Sequence, residues 1–397
     1  MRLATPKGFR DFLPQDAVKR QIVLAKIKQV FEKFGFDPLE TPTLEYAETL
    51  KGKYGEEEKL IYEFTTKGGD EVALRYDQTV PTARVAAQYQ ELPKPFKRYQ
   101  IQSAYRGENT QKGRYREFLQ CDADIIGLAS PLADAEILAL LLEVYKNLGL
   151  DIILAVNDRK LLEGVEPKYL SALDKLDKIG PDGVKKELIG KGLSQVESDE
   201  LFERIIKSDE STDLKEIRKL FIQMGYPTEK MAFNPSIIRG LDYYTGMIVE
   251  VRLAGATSSL AGGGRYDKMI GLFSGNDMAA TGFAIGFDRT IEAMQEAGSL
   301  DTKNTNAKVL VTVFNPELLD KSLETSSLLR KNGINTEVWL DPNSKFDKQL
   351  KYADSKGIPY VVIIGPDEAA KSTLTVKNLA NRTQESLTSD QLIQKLS

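Results

Sequence analysis

Hydrophobic positions change their period several times along the chain, and each change marks an element. Over residues 16–34, Val23, Ile27, Val30, Phe31 and Phe34 recur at helical spacing between Lys and Glu, which predicts an amphipathic helix. Gly35 closes it, and Pro38 and Pro42 in the following FDPLETP favour extended backbone. Such a helix packs on a sheet edge or forms a subunit contact, and the pattern does not choose between them. Residues 60–75 alternate as LIYEFTT and EVALRY around KGGD, which predicts a hairpin with Gly68 and Gly69 at positive φ. Strands are expected at 96–105 and 115–127, separated by the charged RGENTQKGR. ADAEILALLLEVYKNLGL predicts a helix over 131–148 that ends on Gly149, and DIILAV a further strand.

From about 160 to 226 the chain is rich in Lys, Glu and Asp, poor in aromatics and patterned as short helices. That is a helical insertion, or an exposed helical hairpin of no special role. Strand character returns over 233–253. A glycine cluster, LAGGGRYD, follows, and then the strand–helix unit TGFAIGFDRTIEAM. SLDTKNTNA, near 299–307, reads as a linker. Beyond it VLVTVF, a helix over 317–331, NTEVWL, a helix over 345–356 and YVVIIG alternate as a separate α/β domain.

Composition narrows the chemistry. A chain of 397 residues exceeds one simple core, so two or three domains are expected. No apolar run has membrane-spanning length, and MRLATPKGFRDFLPQ lacks a signal-peptide core, so the expectation is a cytoplasmic protein with no membrane association. Histidine is absent and Cys121 is the single cysteine. Serine–histidine triads, histidine metal sites and intrachain disulfides are thereby removed, and Cys121 is expected to be a small buried residue. The chemistry must run on Arg, Lys, Asp, Glu, Tyr and bound metal. A net charge of −4 weighs against a broad nucleic-acid surface, though not against one basic face.

Four clusters are candidates. Arg106, Arg114 and Arg116, with Glu108, fall in the loop between two strands. Guanidinium forks suit phosphate oxygens, but an isolated charged loop is more simply a solvated turn. In Arg239-Gly240-Leu241-Asp242-Tyr243-Tyr244-Thr245-Gly246 an arginine stands beside two tyrosines. If this is a strand, the tyrosines point to opposite faces and at most one lines a given pocket. Gly262-Gly263-Gly264-Arg265-Tyr266-Asp267 lacks the spacing of a glycine phosphate loop, and its glycines more plausibly admit close approach of backbone to a ligand. Gly282-Phe283-Ala284-Ile285-Gly286-Phe287-Asp288-Arg289 puts an arginine where a strand enters a helix.

Taken in this order, the clusters resemble the class II aminoacyl-tRNA synthetases, and the histidine-specific branch in particular. FGFDPLETP is similar to the first motif of that family, a helix and strand used in dimerisation. YRGENTQKGRYREFLQ resembles the second motif and GFAIGFDR the third, while RGLDYYTG resembles a signature of the histidine enzymes. KQLKYADSKGIPYVVIIGPDE resembles part of their anticodon-binding domain. The resemblance covers nearly the whole chain.

It implies an α+β fold, with a class II antiparallel sheet flanked by helices, a helical insertion, and a C-terminal α/β anticodon-binding domain. The implied layout is a catalytic domain over 1–158 and 232–300, the insertion over 159–231 and the anticodon-binding domain over 301–397. The implied reaction is activation of L-histidine with ATP and Mg²⁺, then transfer to the 3′ end of tRNA(His), read through acceptor stem and anticodon by a homodimer. Arg106 and Arg239 would be catalytic, both reaching the α-phosphate. Arg106, Glu108, Arg114, Phe118 and Arg289 would bind ATP. Asp77, Thr79, Gln120, Asp124, Arg239, Tyr243 and Tyr244 would bind histidine, with Asp124 and Tyr244 bracketing the imidazole. No protein side chain is assigned to a metal. The proton acceptor of the transfer step stays open between the adenylate phosphate and a residue near Gln120. Two positions depart from the family pattern: Leu119 stands where relatives often carry His or Tyr, and Asp77 where many carry Glu.

Competing readings are a regulatory paralogue that senses histidine without charging tRNA, a class II enzyme of other specificity, and a non-catalytic RNA-binding protein. The intact RGLDYYTG and the C-terminal domain oppose the first, RGLDYYTG opposes the second, and Arg106, Arg239 and Arg289 oppose the third.

Overall fold

In the computed structural model, residues 3–396 are described apart from 112, 239–242, 256–258 and 301–302. The chain forms two compact units, one of Met1–Asp11 and Val23–Leu300, the other of Phe12–Ile22 and Asp301–Ser397.

The first unit is organised by a mostly antiparallel sheet. Its strands are β1 (Asp37–Pro38), and, after the small-sheet strands β2 (Leu44–Tyr46), β3 (Glu63–Thr65) and β4 (Glu71–Leu74), β5 (Phe96–Tyr105), β6 (Glu117–Ile126), β7 (Ile152–Asp158), β8 (Met231–Phe233), β9 (Met247–Leu253), β10 (Ser259–Arg265) and β11 (Ala280–Gly286). Among the described residues the order of the large sheet is β1-β5-β6-β11-β10-β9-β7-β8, with β1 and β8 pairing parallel at its two edges. The small sheet has the order β2-β4-β3.

Strand alternation gives the large sheet two different faces. Tyr99 and Ile101 of β5, Cys121, Ala123 and Ile125 of β6, Val249 and Val251 of β9, and Phe283 and Ile285 of β11 join the main core. Cys121 is buried, as its isolation in the sequence suggests. This face is covered by helices. Pro14–Lys33 buries Val23, Ile27, Val30 and Phe31. Pro131–Asn147 starts with Pro131 behind the Ser130 cap, whose hydroxyl accepts from the Leu132 N–H, and it ends before Gly149 at φ +73°. The other face carries Arg98, Gln100 and Gln102 opposite Asp124, Asp122 and Gln120, followed across β11 by Gly282, Ala284 and Gly286.

Several expected elements differ in extent. In the first hairpin Gly69 takes φ +95° but Gly68 does not, because the Thr66 N–H–Asp70 C=O and Gly69 N–H–Thr66 C=O bonds need only one left-handed residue. The strand expected over 233–253 is interrupted, with 234–238 and 243–246 outside any strand. There the Asn157 side-chain amide donates to the Pro235 and Ile237 carbonyls (3.3 and 2.9 Å), which replaces ladder partners. The Lys/Glu-rich stretch divides in two. Helices Pro167–Leu173, Leu176–Gly190 and Gln195–Ile206 build a core of their own, joined by Ile238, whereas Thr212–Gln223 packs Leu214, Ile217 and Phe221 into the main core. In that separate core the helix Gln195–Ile206 is started by a reciprocal Ser194–Glu197 capping box.

The second unit contains β12 (Val309–Val311), β13 (Thr336–Val338), β14 (Tyr360–Ile363), β15 (Leu374–Asn378) and β16 (Thr383–Leu387), ordered β13-β12-β14-β15-β16. Its first three neighbours are parallel, with helices Leu319–Lys331 and Phe346–Lys356 as crossovers. The antiparallel β15 and β16 complete it. Among the described residues no helix is long and apolar enough to cross a membrane.

Candidate active site

The polar face of the large sheet opens into a cavity of about 430 Å³. The size is right for a small-molecule site. Period-two alternation explains its floor: where β11 crosses the site its inward residues are Gly282, Ala284 and Gly286, too small to fill it.

One end is built by the β5–β6 hairpin. Arg106, Glu108, Arg114 and Phe118 all line the cavity, as does Arg289 from the first turn of the helix Phe287–Glu296. The Arg106 guanidinium lies 4.3 Å over the Tyr76 ring and 5.1 Å over the Phe118 ring, and its Nε donates to the Tyr76 carbonyl at 3.1 Å. Burial works against its charge, but Tyr76, Asp77, Glu57 and Glu108 outweigh that and hold its pKa above the usual arginine value. Arg289 donates from Nη1 to the Ser259 carbonyl (3.0 Å) and from Nε to the Gly113 carbonyl (3.3 Å), so it ties the hairpin loop to β10. Glu108 pairs with Arg114 at 3.7 Å. Arg116, by contrast, does not line the cavity: its Nε donates to the Glu108 carbonyl at 3.2 Å and braces the loop.

The other end is more deeply buried. Asp77, Thr79, Gln120, Asp124, Tyr243 and Tyr244 line it. Asp77 sits just before the helix Thr79–Gln88 and accepts from the Val80 N–H (3.2 Å) and the Tyr54 hydroxyl (2.9 Å). Burial still raises its carboxyl above the ordinary range, against these hydrogen bonds and the Arg106 charge. The Gln120 Oε1 is buried and makes no hydrogen bond among the described residues. Asp124 Oδ2 is 2.5 Å from Arg98 Nη2, and its Oδ1 accepts from the Tyr266 hydroxyl. Burial pushes that phenol well above its usual pKa, with the Asp124 charge acting in the same direction, so Tyr266 remains a donor.

The two tyrosines correct a conditional expectation. They do not sit on a strand, and both line the cavity, with ring centroids 4.8 Å apart. Thr245 N–H bonds the Arg265 carbonyl at 2.8 Å and secures the segment behind them. Arg239, expected beside the α-phosphate, lies outside the described residues. The triple glycine also has a purpose beyond ligand approach. A Cβ on Gly264, at φ +156°, would fall 2.3 Å from the Met247 carbonyl and 3.0 Å from the Tyr244 ring.

Sequence reasoning did not single out Tyr76, which lines the cavity, nor Tyr54, Arg98 and Asp122, which lie behind its lining residues. It also missed Asp174, which brings the edge of the helical insertion into the cavity wall. Alternation in KRYQIQ and QCDAD was the available signal for Arg98 and Asp122: polar residues at every second position of an interior strand share one face.

A mostly antiparallel sheet whose one face is a polar cavity, entered by an arginine hairpin and closed by the arginine of a strand–helix junction, defines the catalytic domain of a class II aminoacyl-tRNA synthetase. The family model described as histidyl-tRNA synthetase matches residues 8–169 and 197–290, and that of an anticodon binding domain matches 308–397. The chain belongs to the histidyl-tRNA synthetase family. It is 38% identical to the histidine–tRNA ligase of Gloeobacter violaceus, over 98% of both chains. It is 41% identical to that of Aeropyrum pernix, over 94% of this chain and 93% of the relative. The crystal structure of histidyl-tRNA synthetase from Nostoc sp. PCC 7120 superimposes with a TM-score of 0.88 at 30% identity, covering 100% of this chain and 99% of that one.

Proposed function

We propose that this chain carries out its family's ligase reaction, activating L-histidine with ATP and passing it to the 3′ end of tRNA(His), through the residues gathered in the cavity. The observation that carries the reading is that Arg106, Arg289, Asp77, Gln120, Asp124 and Tyr244, from distant parts of the chain, line one concave site.

In the first step the histidine carboxylate attacks the α-phosphorus and pyrophosphate leaves. A carboxylate is ionised at neutral pH, so the step needs no general base, and a site without histidine is no obstacle. The barrier falls through alignment and through positive charge placed where the phosphoryl oxygens gain negative charge. Arg106 supplies that charge, and the resemblance adds Arg239. Phe118 and Arg289 enclose the adenine, Glu108 meets its edge, and Arg114 meets the outer phosphates. Mg²⁺ would arrive with those phosphates. Among the described residues no group of three or more Asp, Glu or Cys could hold a metal ion, so no step is assigned to it. Asp77, Thr79 and Gln120 receive the α-ammonium.

Neutral imidazole offers one N–H donor and one acceptor nitrogen. Asp124 accepts from the first, Tyr244 donates to the second, and Tyr243 walls the same pocket. In the second step the terminal ribose hydroxyl attacks the adenylate carbonyl and AMP leaves. Residues 301–397 read the anticodon in this proposal, and residues 159–231 contain the insertion. The chain works as a cytoplasmic homodimer, with the first motif placing β1 at the sheet edge.

Exchange of labelled pyrophosphate into ATP, run with each amino acid, tests the activation step. Histidine alone is expected to support it, and transfer of labelled histidine to tRNA follows. Exchange that needs no histidine, or that answers to another amino acid, removes the proposal.

A further inference from the structure

Beneath the pocket lies a charge that the ligase reaction does not use. Arg98 is fully buried, at 0% exposure, on the inner face of β5. It stands opposite Asp124 in the β5–β6 register, and its Nη2 lies 2.5 Å from Asp124 Oδ2. A guanidinium inside a sheet loses its hydration, and an aliphatic residue would fill this site at lower cost. Its pairing therefore calls for a functional account.

Three elements converge on the Asp124 carboxylate. Arg98 approaches one oxygen from β5 and Tyr266 donates to the other from the end of β10. On β11, Gly282 faces Asp124 directly, and a Cβ there would sit 1.9 Å from Oδ1. The carboxylate is thus held at both oxygens, by an ion pair on one and a hydrogen bond on the other. An ionised carboxylate has about four acceptor positions, so two contacts leave an edge free for a ligand.

The remaining charges make Arg98 decisive. Asp122, on β6 with Asp124, and Asp77 and Arg106 beside the cavity, all act electrostatically on this cluster. Burial pushes Asp122 well above the ordinary carboxylate range, with Arg98 opposing and Asp124 and Asp77 reinforcing the rise. Burial also raises Asp124, but there Arg98 and the Tyr266 bond both oppose it. Of these buried carboxylates the guanidinium is in direct contact with Asp124, and that contact favours its ionised form.

We propose that Arg98 is a positioning residue for amino-acid selection: it holds Asp124 as an oriented, acceptor-only carboxylate, so that the pocket takes a side chain offering an N–H at that point. This rests on the reading that Asp124 meets the imidazole. Without the guanidinium, Asp124 takes up a proton, presents a hydroxyl donor and loses its fixed direction.

The test is histidine-dependent pyrophosphate exchange by the full chain between pH 7 and 8, where the substrate imidazole is mostly neutral and its α-ammonium is still mostly charged. Arg98→Gln is expected to raise the histidine KM by at least about 10-fold near pH 7, as for a buried group that loses its partner. The ATP KM should stay within twofold. The histidine KM of this variant should fall as pH rises, because Asp124 then loses its proton, while the wild-type value stays flat. Arg98→Lys, which keeps the charge, should recover most of the affinity. If Arg98→Gln does not fold, Arg98→Gln/Asp122→Asn removes one stranded carboxylate and carries the same measurement. Wild-type histidine KM and pH profile in every folded Arg98 variant would overturn the proposal, as would equal rises in the histidine and ATP KM values. Asp124→Asn separates the two layers. A wild-type histidine KM in that variant removes Asp124 from the imidazole site, whatever Arg98 does.

Discussion

Gly282→Ala is a one-carbon perturbation whose effect can be worked from the structure. The added Cβ would lie 1.9 Å from Asp124 Oδ1, 2.4 Å from its Cγ and 2.6 Å from the Ala123 carbonyl oxygen. Real Cβ atoms essentially never come within 3.0 Å of such neighbours, so the carboxylate must retreat by about 1 Å and, because the third contact is backbone, β6 and β11 must also shift apart. That shift strains a ladder that runs from Ala280–Ile126 to Gly286–Gln120. Overpacking of this kind costs about 1–3 kcal/mol of stability. A misplacement of about 1 Å at a reacting or binding group costs about 10²-fold in function. The expected outcome is a protein that folds with a lowered urea midpoint, a histidine KM raised about 10²-fold, and an ATP KM near wild type, because Phe118 and Arg289 lie at the other end of the cavity. Pyrophosphate exchange with each substrate titrated separately gives both constants. A destabilised Gly282→Ala enzyme with the wild-type histidine KM would show that the Asp124 position does not set histidine affinity.

Other perturbations address other parts of the site. Arg106→Ala should slow exchange by about 10²–10³-fold, the loss typical of one preorganised donor at a developing charge, and a wild-type rate would remove Arg106 from the transition state. Tyr244→Phe should raise the histidine KM between about 5-fold and 10²-fold by leaving an imidazole nitrogen unpaired, and unchanged saturation would place Tyr244 outside the imidazole contact. Asp122→Asn should change the pH dependence of stability. Burial raises the folded-state pKa of Asp122 above its unfolded value, so its contribution is complete below the unfolded pKa and is lost as pH rises through the folded one. Urea midpoints should therefore coincide near pH 4 and favour the Asn variant increasingly toward pH 8; a wild-type advantage that grows with pH would contradict the assignment.

The fold was legible where one period ran long enough. Val23, Ile27, Val30 and Phe31 mark one face of a helix without ambiguity, and 131–148 is closed at both ends by recognisable caps. The interruption after Phe233 was not legible, because it depends on Asn157, some 80 residues earlier, whose amide takes the carbonyls a neighbouring strand would otherwise hold. Thr212–Gln223 belongs with the main core rather than with the separate helical core for a similar reason. Its amphipathic pattern says that Leu214, Ile217 and Phe221 are buried, but not against what.

For the site, residue type carried much of the information and pairing carried the rest. Arginine and tyrosine clusters in RGENTQKGR and RGLDYYTG point to a polyanion and a flat ligand before any geometry is known. That Arg98 meets Asp124 does not follow from either strand alone. It requires the β5–β6 register, which the long loop between Tyr105 and Glu117 leaves open, whereas a two-residue turn would have set it. A slip of one residue would bring Tyr99 and Ile101 to the cavity side and bury Arg98 among aliphatic side chains. The polar alternation Arg98-Gln100-Gln102 against Gln120-Asp122-Asp124 thus does two things at once. It penalises every register that puts a charge into the apolar core, and it delivers a single guanidinium to the carboxylate that must stay ionised. Specificity for the amino acid is, on this argument, built into the strand pairing of the sheet, and the residues that touch the ligand are only its exposed end.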